Sequence, residues 1–116
     1  MVLDAQVGSY LPDIIDNTLG HLRKLNVPLH GVFSPNEDST VAVVSALKYM
    51  KLQPVHIGFD YNAFIEKAIS EKRLYGTVVQ QPDAMGFSSV EAIHRYLTDK
   101  KLPQSVFLDV KFVTAK

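Results

Sequence analysis

Three polar side chains, Asn36, Asp60 and Gln80, each follow a short apolar run: Leu29–Phe33, Val55–Phe59 and Thr77–Val79. An amide donates and accepts at once, and a carboxylate accepts two hydroxyl protons, so together they suit vicinal hydroxyls on a polar solute. Each bond to the charged member is worth about 1.5–3 kcal/mol. Each residue also has an ordinary use: Asn36 or Asp60 can cap the helix that follows, and Gln80 can serve as a loop amide. The recurrence at successive positions is what points to a ligand. Tyr10 follows Val2–Val7 in the same way and could offer a ring face to a sugar, or simply pack.

Other chemistries find little support. There is no cysteine, which removes disulfides, thiolate zinc sites and cysteine nucleophiles together. His21, His30, His56 and His94 fall on different elements with no i, i+4 pairing, so no metal site is expected. No phosphate-cradling G-x-x-x-x-G-K, no G-x-G-x-x-G and no G-x-S-x-G turn occurs, and no spacing marks a catalytic pair. Neither an enzyme nor a cofactor is expected. Twelve basic and twelve acidic residues cancel, which gives no electrostatic case for nucleic acid or an anionic membrane. The longest apolar runs are far short of the roughly 20 residues a bilayer span needs. No basic-then-apolar export signal is visible in the opening residues.

The elements that must hold these side chains repeat one unit. Val55, Ile57 and Phe59 alternate with His56 and Gly58 in a short strand opening at Pro54, and Phe64, Ile65, Ala68 and Ile69 then recur at helical spacing. Asp60 thus sits where a strand hands over to a helix, the edge at which open α/β sheets bind ligands. Before it, the pattern predicts a strand over Val2–Val7 and a helix from Pro12 with Ile15, Leu19 and Leu22 on its apolar face. A strand over Leu29–Phe33 follows, then a helix burying Val43, Val44, Leu47 and Met50. Ser34–Ser39 reads as that helix's N-terminus. After it come a strand over Gly76–Gln80, a helix from Ser88 to Lys100 opened by a Ser88-x-x-Glu91 capping box, and a last strand over Val106–Val113. Asp109 and Lys111 on one face suggest an edge or half-wet position for this last strand. Residues 1–116 thus read as a single α/β domain, a mostly parallel five-stranded sheet with helices on both faces.

The quoted segments resemble a known family. Val32-Phe-Ser-Pro-Asn36-Glu37, Gly58-Phe-Asp60, Thr77-Val-Val-Gln80-Gln-Pro82 with Gly86, and the ending Leu108–Thr114 are similar to the C-terminal lobe of ribose- and galactose-type periplasmic sugar-binding proteins. These are type I solute-binding proteins of ABC importers and chemotaxis. The resemblance implies non-catalytic binding of a ribose-like sugar between two lobes, closure read by a membrane transporter or receptor, and a periplasmic or extracellular parent. It gives Asn36, Asp60 and Gln80 sugar-hydroxyl roles and Tyr10 a stacking role. It also implies that residues 81–103 cross to the other lobe. Two residues depart from the family's pattern: Glu37 stands where an Asp is usual, and Tyr61 where a Gly is common. Nothing here matches the N-terminal lobe or the family's ligand-binding arginine. With the partner lobe missing, the helix over Ser88–Lys100 is expected to be covered by its own domain or by a second copy of this chain, through swapping or dimerisation, and the second copy is predicted.

Two alternatives remain in view. One is the effector domain of a sugar-responsive LacI-type repressor. The other is a phosphoacceptor receiver domain with Asp60 at the end of its third strand, although Asp4 is lone and Lys111 lies within a strand.

Overall fold

The computed structural model describes residues 11–115. The expected strand over Val2–Val7, and Tyr10 with it, lie outside the described residues. In chain order the elements are α1 (Leu11–Lys24), β1 (Gly31–Phe33), α2 (Glu37–Met50), β2 (Val55–Phe59), α3 (Ala63–Ser70), β3 (Gly76–Val79), α4 (Pro82–Asp99) and β4 (Lys111–Thr114). The α/β class follows the sequence reading, with four strands among the described residues where the whole chain suggests five. Described residues up to Val78 and from Phe112 onward form one unit, and Val79–Lys111 form a second.

In the first unit β1 and β3 both pair in parallel with β2, Phe33 opposite Ile57 and Phe59 opposite Val78. The connections β1–α2–β2 and β2–α3–β3 step across the sheet in one direction, and right-handed crossovers put both helices on the same face. That face carries His56, Gly58 and Thr77, all buried. The cluster of Val44, Ile65, Ala68, Ile69 and Leu74, joined by Val41 and Val113, forms the core. The alternation in β2 therefore runs against the usual apolar-in pattern: His56 is fully buried while Val55 is 54% exposed. Phe33 and Phe112 are also exposed. Phe112 shares the face of Gly76, where an added Cβ would lie 2.7 Å from its ring.

Several boundaries depart from expectation. In α2 the buried residues are Thr40, Ala42, Val44, Ala46 and Leu47, with Val43 and Met50 only half-buried. Ala42 and Ala46 lie on the side of the helix opposite Thr40 and Val44, and α1 packs against α2, so the buried surface is wider than the large residues alone suggest. In α3 Ile65, Ala68 and Ile69 are buried, but Phe64 is exposed. The last strand is shorter than predicted: residues 106–110 are irregular, and only Lys111–Thr114 pairs.

In the second unit the helix begins at Pro82, six residues before the predicted start. Proline suits the first helical position because its missing N–H has no partner there anyway. Ser88 and Glu91 consequently lie inside the helix and do not cap it. Gln81 instead sends its side-chain amide to the carbonyl of Asp109 at 2.7 Å. None of the residues of α4 is buried.

Candidate functional site

Asn36 is the N-cap of α2. Its Oδ1 accepts from the Ser39 N–H at 2.9 Å, while Ser39 Oγ accepts from the Asn36 N–H at 3.3 Å, a reciprocal box. Extended backbone at φ −156° aims the chain into the helix. The carbonyl of Asn36 accepts from the Ser39 hydroxyl, the Thr40 hydroxyl and the Thr40 N–H. The ordinary use of this residue is thus realised. Its side-chain amide nitrogen takes no part in the cap, and the residue is exposed.

Asp60 stands one residue past β2 with φ 67°, in the left-handed region that aspartate tolerates better than most residues. Its N–H donates to the Val78 carbonyl at 2.8 Å, and its own carbonyl accepts from the buried Thr77 hydroxyl at 2.8 Å. The sequence left open whether Asp60 caps α3. It does not: the N-cap is Asn62, whose Oδ1 accepts from the Ile65 N–H at 2.8 Å. Asp60 is half-buried and is itself engaged in an interaction.

Tyr61 follows, 42% exposed. Local desolvation and the Glu66 carboxylate, to which its hydroxyl donates, raise its pKa above the ordinary phenol value. Gln80 follows β3 directly and is half-buried, in the second unit, and is itself engaged in an interaction. The structure therefore brings the backbones at Asn36 and the end of β2 together within one unit, while Gln80 belongs to the other.

Beneath this edge lies a polar layer that sequence reasoning missed. Thr40 Oγ1, fully buried, donates to the Asn36 carbonyl at 2.8 Å and accepts from the Phe59 N–H at 3.0 Å. Ser34 Oγ lies 2.8 Å from His56 Nε2, both buried, and His56 Nδ1 has no partner. Burial lowers the His56 pKa to about 4, so the ring is neutral at pH 7. A serine–histidine pair can support nucleophilic catalysis, but this one is closed to solvent and has no route to a substrate. Only the capping of Asn36 carried a sequence signal. The Thr40 and Ser34 bonds join residues about twenty positions apart and leave no local pattern. Among the described residues no group of three or more His, Asp or Glu could hold a metal ion.

A sequence profile for the periplasmic binding protein domain matches residues 11–101. The ribose import binding protein of Escherichia coli (strain K12) is 28% identical over 98 residues, covering 84% of this chain and 33% of that protein. Among solved structures, an Agrobacterium vitis ABC transporter solute-binding protein with bound D-fucose aligns over 93% of this chain and 39% of its own, at 28% identity and a TM-score of 0.77. A second solute-binding protein of that organism, bound with α-D-tagatopyranose, reaches a TM-score of 0.86 at 16% identity over 98% of this chain, and so shares the fold. The chain spans about one third of the length of the curated relatives it matches.

Proposed function

The chain belongs to the periplasmic binding protein domain family, and from that premise we propose that it is a sugar-binding lobe of a solute-binding protein serving an ABC importer. The observation that carries the reading is the strand-end edge of the first unit. There Asn36 keeps its side-chain amide donors and Asp60 stands one residue past β2. Two donors beside a carboxylate match adjacent hydroxyls of a monosaccharide: the carboxylate accepts two O–H groups while the amide donates to ring or hydroxyl oxygen. Gln80, just past the third parallel strand, takes the corresponding role by resemblance, and Tyr10 a stacking one. Binding is followed by no chemistry on the sugar. In the full-length protein the second lobe closes over the ligand, and the closed form is what a membrane transporter reads, outside the cytoplasmic membrane. Residues 81–103 would cross to that lobe.

The sugar is proposed to be ribose-like, in keeping with the ribose import relatives, with Tyr61 narrowing the approach to Asp60 relative to a glycine there. Titration of the isotopically labelled chain with D-ribose, followed by amide shifts, tests this. Shifts at Asn36, Asp60 and Gln80 with millimolar affinity are expected. A flat response to D-ribose and to other pentoses and hexoses would remove the proposal.

A further inference from the structure

We propose that Thr40 is a positioning residue for the sugar-binding edge, its single hydroxyl locking the Asn36 cap to the end of β2; the inference rests on the sugar-lobe reading just given. The β1–β2 ladder runs by alternate rungs: the Val55 N–H donates to His30, and the Ser34 N–H to Ile57. A continued ladder would next take the Phe59 N–H to the carbonyl of Ser34. The chain has by then turned away into α2, and the Thr40 hydroxyl takes that rung, accepting from Phe59 at 3.0 Å. A threonine hydroxyl bonding back to the carbonyl four residues earlier is ordinary in a helix. Here the same oxygen, having given its proton to Asn36 at 2.8 Å, spends a lone pair across the sheet.

Glycine at position 58 makes this possible. A Cβ there would overlap Thr40 Cγ2 and come within 3.0 Å of its Oγ1. The absence of a side chain lets α2 settle until the hydroxyl reaches Phe59. Asn36 and Asp60 then derive their relative position from one atom: the first through its carbonyl, the second through the peptide that follows Phe59.

The test uses Thr40→Val, which keeps the shape and removes the hydroxyl, and Thr40→Ser, which keeps the hydroxyl. In Thr40→Val the Phe59 amide should exchange hydrogen roughly tenfold faster relative to the core amide of Ile65, a loss of about one hydrogen bond. The D-ribose titration midpoint should weaken by a similar factor, and Thr40→Ser should restore both. A uniform acceleration of all amides with an unchanged midpoint would reduce Thr40 to general stability and overturn the proposal. If Thr40→Val fails to fold, the serine variant decides: an unprotected Phe59 in it would sink the idea, and wild-type protection would sustain it. A wild-type chain that responds to no sugar defeats the sugar-lobe reading instead, while the exchange measurements still decide whether Thr40 ties the two loops.

Discussion

At the scale of single residues, His56 makes stability depend on pH. Its folded pKa of about 4 lies below the usual 6.5, so the unfolded chain takes up a proton first as pH falls. The stability it permits is whole above pH 6.5, declines between there and pH 4, and is level below. The full decline is on the order of 3 kcal/mol, since each unit of pKa difference is worth about 1.4 kcal/mol. Urea unfolding of His56→Gln against wild type across that window should give a flatter profile for the variant. Equal slopes would mean the ring is not held neutral. Gly58→Ala should cost about 1–3 kcal/mol, because the new methyl meets Thr40 in a closed layer; an unchanged urea midpoint would contradict that packing. Sequence reading recovered Asn36 as a cap because the signal is local, a side chain facing an N–H three residues on. It offered Asp60 as a possible capper of α3 and passed over Asn62, a suitable type two positions on; the backbone of Asp60 at φ 67° is what separates them. Thr40, Ser34 and His56 were silent because their partners are distant in sequence.

At the scale of elements, the parallel strand–helix units were legible from period alone, since β2 alternates and α3 recurs at helical spacing. The start of α4 was not. Gly86 is a poor helix former by about 1 kcal/mol, and Ser88-x-x-Glu91 imitates an N-terminus, so the true start at Pro82 was masked. That longer helix exposes Phe87, Val90, Ile93 and Leu97, with Phe87 at 73%. In a full-length relative the remaining two thirds of the chain can supply a cover; for these 116 residues alone a second copy is the available one. Light scattering at high concentration should therefore report a dimer, and Ile93→Glu with Leu97→Glu should return it to monomer without shifting the unfolding of the first unit. A monodisperse wild-type monomer would count against this association.

For the whole molecule, a limit on affinity follows from the sugar-lobe reading proposed above, because one lobe leaves a ligand open to water. Sites of this kind bury most of the ligand's surface, so calorimetry on the chain alone should find sugar affinity no tighter than millimolar. Micromolar affinity would mean that one lobe, or two copies of it, closes the site. The fold class and the family were readable in the sequence because strand-end motifs keep their order.

The inverted alternation of β2 has a kinetic side. Its apolar side chains, Val55, Ile57 and Phe59, lie on the face away from α2 and α3, while histidine and glycine face the core. Sliding that strand by a single position would exchange the two sets and drive aliphatic bulk beneath the helices. Greasiness by itself thus rewards a wrong alignment, and only the cramped space over Gly58 and the polar rungs at Ser34 and Thr40 veto it. Refolding from urea should accordingly pass through a misaligned collapsed species that has to reopen before it becomes native.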